Sequence, residues 1–223
     1  MSKILSSLFI LFIITFSNLS KSHPSSFADL VANLSPAVVS IASTTIVTNN
    51  NSQNPMPQFP EGSPFDEFFK DYFENERRNS PSQKPMTGLG SGFIINKEGI
   101  IVTNNHVIEG ADEITVIMSD QKEFIAELLG RDPKADLAVL KIDPGATELT
   151  SVEWGDSESM KVGDWSIAIG NPLGLGGTVT AGIISAISRD LRGSSPYVKF
   201  LQTDASINRG NSGGPLFNIE GKV

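Results

Sequence analysis

The 223-residue chain has no cysteine and only two histidines, and those absences exclude more chemistry than any single motif admits. Without thiols there is no disulfide-stapled scaffold, no cysteine nucleophile and no thiolate metal site. With only His23 and His106, and no His-Glu-x-x-His, a zinc peptidase would need a ligand set built almost wholly from carboxylates. Long apolar runs are missing as well. The largely apolar stretch from Ile4 to Phe16, preceded by Lys3, covers 13 residues, which is short for a bilayer and suits a signal peptide. Ser20 and Ser22 offer small residues for cleavage before His23, so residues 1–22 are expected to be a removable leader; an uncleaved anchor is the alternative. Positive charge is in deficit, with 17 Lys and Arg against 25 Asp and Glu and a net charge of −8. Loss of the leader removes Lys3 and Lys21 and no acid, giving −10, which argues against nucleic acid as a partner. Stability therefore rests on core burial, and about 200 remaining residues suffice for one or two domains of ordinary size.

Helical periodicity is scarce, and short apolar or alternating runs dominate. Phe27 to Leu34 reads as a short helix stopped by Pro36. Strands are expected at Val38–Val47, Gly90–Ile95, Ile100–Thr103, Ile114–Met118, Phe124–Gly130 and Leu137–Ile142, separated by turn signals such as Lys97-Glu98-Gly99. Asp143 to Asp156 reads as a connection. Trp165–Ile169, Thr178–Ser188, Lys199–Thr203 and Leu216–Ile219 then begin a second group of strands. Between Thr48 and Thr87 the composition shifts to Asn, Gln, Pro and Ser, yet Phe59, Phe65, Phe68, Phe69, Tyr72 and Phe73 fall inside this stretch. A docking surface and a loop folded back on its own barrel are both open readings of it.

Three residues carry the chemistry. Asn208-Arg209-Gly210-Asn211-Ser212-Gly213-Gly214-Pro215-Leu216 brackets one serine with glycines, which let two backbone N–H groups converge on a carbonyl oxygen that becomes negative; Gly210 and Ser212 are placed to supply them. A serine nucleophile needs a base, and beyond the leader boundary His106, at the end of the strand Ile100–Thr103, is the histidine placed to serve. The imidazole in turn needs a carboxylate to set its tautomer. Asp136, opening the strand Leu137–Ile142, answers that need, with Asp132 and Asp143 as competitors. The order His106, Asp136, Ser212 is that of chymotrypsin and neither of subtilisin nor of α/β-hydrolases.

Thr103-Asn104-Asn105-His106-Val107, Asp136-Leu137-Ala138-Val139-Leu140-Lys141, Gly170-Asn171-Pro172-Leu173-Gly174 and Gly210-Asn211-Ser212-Gly213-Gly214-Pro215-Leu216 together resemble the HtrA/DegP family of trypsin-like serine proteases, from about Leu30 onward. The resemblance implies an all-β chain of two six-stranded barrels, with the triad in the cleft between them. On this scale residues 23–223 are a protease domain, 35–143 the first barrel, 157–223 an incomplete second one, and 48–87 a long regulatory loop that also contributes to contacts between trimers. The strands that would close the second barrel, and any PDZ domains, are expected beyond Val223.

The resemblance also implies an ATP-independent periplasmic endopeptidase of protein quality control. Its substrates would be unfolded or damaged proteins, and it would need no cofactor or metal and assemble as a trimer-based homo-oligomer. Ser206, six residues before the nucleophile, takes the position at the base of the primary pocket. With Ile207, Asn208, Arg209 and Asn211 it is expected to contact substrate, and the absence of a carboxylate there favours small aliphatic side chains over Lys or Arg. Gly88-Leu89-Gly90-Ser91-Gly92 and Gly170 to Gly177 are read as structural glycines, since neither carries the Lys-Ser/Thr of a phosphate loop. A non-catalytic chaperone keeping the fold is the competing function, and the presence of all three triad residues discriminates against it. An esterase is disfavoured by the triad order and the lack of α/β alternation.

Overall fold

The computed structural model describes residues 26–45, 86–172, 177–189, 199–208 and 210–223. The expected leader, nearly all of the 48–87 stretch and Arg209 lie outside them.

A helix at Ala28–Leu34 runs into a tight turn of 3₁₀ helix at Ser35–Ala37, with Pro36 at its start, where the missing N–H costs nothing. Strands β1 (Val38–Thr45), β2 (Met86–Ile94), β3 (Ile100–Thr103), β4 (Glu113–Ile117), β5 (Glu123–Ile125), β6 (Glu127–Asp132) and β7 (Leu137–Lys141) form one antiparallel sheet in the order β5-β4-β1-β2-β3-β7-β6. The two edges of that sheet are one bent strand. Only Ala126 separates β5 from β6, and its N–H bonds to the Ile114 carbonyl at 2.9 Å, so the sheet curls back on itself. The strand expected over Phe124–Gly130 thus breaks at one residue, because its two halves pair with different neighbours, β4 and β7. Val39, Ile41, Ile94, Ile101, Val116, Leu140 and Ile142 fill the interior.

Strands β8 (Trp165–Gly170), β9 (Thr178–Arg189), β10 (Phe200–Thr203) and β11 (Leu216–Phe217) form a second sheet in the order β10-β9-β8-β11. A second apolar cluster joins the sheets: Val38 and Phe93 from the first meet Ile167, Ile169 and Phe217 from the second, with Leu30, Val31 and Leu34 of the N-terminal helix packed against them. Phe27 stands edge-on to Trp165 with ring centroids 5.4 Å apart. Each fully buried aliphatic or Phe side chain here contributes about 1.5–3 kcal/mol, and this seam holds the two halves of the site in register.

Strand β2 explains its glycines by alternation. The Cβ positions of Gly90 and Gly92 face Val107, Ile41 and Ile101 inside the first sheet, leaving no room for a side chain, whereas Ser91 and Phe93 point the other way, towards the second sheet.

Candidate active site

His106 follows directly from how β3 ends. Ile101 and Thr103 are buried, the chain leaves the strand at Asn104, and a single helical turn, Asn105–Ile108, buries Asn105, Val107 and Ile108. Those three anchors fix the backbone on both sides of the histidine, whose side chain is only 4% exposed. Strand β7 runs antiparallel to β3, with Thr103 opposite Ala138, which brings the hairpin turn ahead of β7 beside the imidazole.

Asp136 occupies the last position of that turn. Its Oδ2 lies 2.6 Å from His106 Nδ1, and its Oδ1 accepts the His106 backbone N–H at 2.9 Å. A carboxylate can only accept, so in the neutral ring the proton sits on Nδ1 and Nε2 presents the lone pair. Asp136 has φ 53°, the left-handed region that aspartate tolerates better than most residues. The Asn104 side-chain amide donates to the Asp136 carbonyl at 2.6 Å and holds that conformation. The competing acids have other duties: Asp132 accepts from the N–H groups of Lys134 and Ala135 within the same turn, and Asp143 from that of Gly145.

The serine loop is seated on β2 and β3. The Ser212 carbonyl accepts the Ser91 N–H at 2.8 Å, and Gly214 N–H closes the turn onto the Asn211 carbonyl at 2.9 Å. Gly213 has φ 82°, and a Cβ there would run into the Ser91 carbonyl and the Thr103 hydroxyl. The serine loop thereby abuts the very strand end that delivers His106. Gly213→Ala is expected to lower stability by about 1–3 kcal/mol from the left-handed backbone alone. Urea denaturation measures it, and a loss under about 0.5 kcal/mol would contradict the packing described, since ordinary surface changes fall in that range.

Asn211, 7% exposed, ties the expected substrate-contacting residues together. Its Oδ1 accepts the Asn208 N–H at 2.8 Å and its Nδ2 donates to the Ser206 carbonyl at 3.2 Å. The Thr180 hydroxyl also donates to Ser206 O, at 2.8 Å, joining the segment to β9. Ser206, Ile207 and Asn208 are exposed, Ile207 to 55%. Asn211 is thus a support for that segment, buried beneath it. Neither the Gly210 nor the Ser212 N–H donates to another group among the described residues.

Ser91, Asn104 and Asn171 stand inside the stretches quoted from the sequence, but those motifs give them no role: Ser91 bonds the Ser212 carbonyl, Asn104 the Asp136 carbonyl, and the Asn171 N–H the Ser91 hydroxyl. Each is a polar residue at a strand end or inside a glycine-rich strand, and that polarity was the available signal.

Residues 90–223 match the family described as the trypsin-like peptidase domain. The chain is 48% identical over 201 residues to the probable periplasmic serine endoprotease DegP-like of Marinomonas sp. (strain MWYL1), an alignment covering 88% of the chain and 42% of that protein. It is 43% identical over 230 residues to the protein of the same name from Pseudomonas fulva (strain 12-X), covering 100% of the chain and 47% of the relative. The chain therefore spans less than half the length of these curated relatives. Among solved structures, the HtrA-type protease AlgW with tripeptide superposes with a TM-score of 0.66 at 38% identity, covering 89% of this chain and 52% of that one. AlgW with decapeptide gives 0.66 at 41% identity, covering 89% and 57%.

Proposed function

Because the chain belongs to the trypsin-like peptidases, in their HtrA/DegP branch, we infer that it is a periplasmic serine endopeptidase acting on unfolded or damaged protein without ATP. The observation that carries the chemistry is the doubly bonded pair of His106 and Asp136, at 2.6 and 2.9 Å, with the serine loop packed on the end of the strand that leads to His106. Ser212 Oγ attacks the scissile carbonyl while its proton passes to His106 Nε2, and the N–H groups of Gly210 and Ser212 receive the negative charge that develops on the oxygen. The imidazolium, held by Asp136, then protonates the leaving amine. Water repeats the sequence on the acyl-enzyme, giving the free acid and restoring Ser212.

The exposed Ser206–Asn208 segment, resting on Asn211, supplies backbone groups and Ile207 for an extended peptide with a small aliphatic residue on the acyl side of the cut. Arg209 is placed with them by the motif. Residues 1–22 are assigned as leader, 23–223 as protease domain, 48–87 as a regulatory loop, and the working assembly as a trimer-based homo-oligomer, all on the pattern of the family.

A pH profile tests the proton shuttle. His106 is the single imidazole outside the assigned leader and its immediate neighbour, and it accepts a proton only when neutral. Cleavage of unfolded casein, measured without ATP, is expected to rise through one acidic limb. Two limbs of similar size would require a second group and would contradict the assignment.

A further inference from the structure

We propose that Ser91 is a positioning residue for the oxyanion-binding amides, acting from strand β2 on the peptide plane between Gly210 and Asn211. This rests on the reading of the chain as a serine peptidase. Ser91 is fully buried, and leaving a buried hydroxyl without partners is destabilising, so what its Oγ bonds to matters. Its Oγ donates to the Gly210 carbonyl at 2.5 Å and accepts the Asn171 N–H at 2.8 Å. The direction of both bonds is fixed by their partners: a carbonyl can only accept and an amide N–H can only donate, so the single hydroxyl proton is committed to Gly210.

That commitment constrains the loop at the place that matters. The Gly210–Asn211 peptide is planar. One polar end is held by Ser91, and the other, the Asn211 N–H, bonds to the Asn208 carbonyl at 3.2 Å. The plane lies between the Gly210 and Ser212 N–H groups, so its rotation would turn those two donors off a common point. The main chain of Ser91 adds a second grip, its N–H on the Ser212 carbonyl at 2.8 Å and its own carbonyl on the Thr103 hydroxyl at 2.6 Å. One residue therefore joins the strand leading to His106, the nucleophile loop and, through Asn171, the end of β8. Shape agrees with the bonding: a Cβ on Gly170 would meet Asn211, and one on Gly210 would meet the Pro172 ring, so the loop is wedged between β2 and the Gly170–Pro172 segment.

The test compares Ser91→Ala with wild type in the full-length protein, following hydrolysis of an aliphatic peptide substrate and inhibition by the matching peptide boronate, which adds to the nucleophile and places an oxygen where the oxyanion forms. Loss of one oxyanion donor costs on the order of 10²–10³ in kcat, and a loosened pair costs less, so kcat is expected to fall about 10- to 100-fold while KM stays within about twofold. Boronate affinity should fall with kcat, and Ser91→Thr, which keeps the hydroxyl, should recover most of both. Should Ser91→Ala fail to fold by near-ultraviolet circular dichroism, Ser91→Cys is read in its place, since a thiol is too weak a donor to hold the Gly210 carbonyl. A folded variant with kcat within about twofold of wild type, or one whose loss lies wholly in KM, overturns the proposal. Wild-type protein that neither cleaves peptide nor reacts with a fluorophosphonate would refute the peptidase reading itself, independently of Ser91.

Discussion

Ser212→Ala is expected to lower casein turnover by a factor on the order of 10⁶ without disturbing the fold, because the nucleophile and its base act as one unit. Among the described residues, the side chain removed makes no hydrogen bond that holds the loop. The loop is held through main-chain atoms, by Ser212 O on the Ser91 N–H and Gly214 N–H on Asn211 O, and these survive the substitution. A fluorophosphonate should label Ser212 in the wild type, and no other serine, and label nothing in the variant. Residual proteolysis above about one per cent of wild type, in a preparation free of host proteases, would remove Ser212 from the mechanism, since triad loss elsewhere is far deeper.

The second large effect belongs to Asp136→Asn, expected to cost roughly 10⁴ in turnover. An amide can replace the carboxylate in shape and can still accept the His106 backbone N–H through its oxygen. The group facing Nδ1 is then free to be the NH₂, which donates, so the ring proton is driven to Nε2, the atom that must receive the proton of Ser212. Asparagine also tolerates the left-handed backbone at this position, so the φ of 53° brings no new strain and the variant should melt close to wild type. Turnover within tenfold of wild type would reassign the orienting role, and the turn-capping bonds of Asp132 and Asp143 leave neither a ready substitute.

Much of this was legible in the residues. The expected strand Ile100–Thr103 appears at those limits, and others, among them Leu137–Lys141 and Trp165–Gly170, lie within a residue of expectation, because alternating burial writes a period of two into the chain. His106 and Asp136 were legible for a related reason: each is a charged or titratable residue at the border of an apolar run, where a pattern breaks. The bend at Ala126 was not, since nothing local distinguishes a strand with one partner from a strand that changes partners midway. Nor were Ser91 and Asn104. Their importance lies in which loop from far along the chain lands on them, 119 residues away for the Ser91–Gly210 bond and 32 for Asn104–Asp136, and such pairings are properties of topology. The segment proposed to line the primary pocket falls between these cases: Ser206 was expected there from its distance to Ser212, whereas the role of Asn211 as a prop under it depends on a side chain turned inward.

The division of the proposed triad between the two sheets has a consequence in time. Every strand of the first sheet lies between Val38 and Lys141, so the sheet that carries the histidine–aspartate pair takes no strand from beyond that point, whereas the serine loop lies in the chain between Phe200–Thr203 and Leu216–Phe217 of a sheet that begins at Trp165. A unit that takes no residue from the rest of the chain can fold ahead of it. On the proposed function, the proton relay can form without the nucleophile, and the capacity to cut peptide bonds waits until the second sheet docks and Gly210 meets Ser91. On that reading, a partly folded copy with its second sheet undocked is unable to digest the unfolded chains around it.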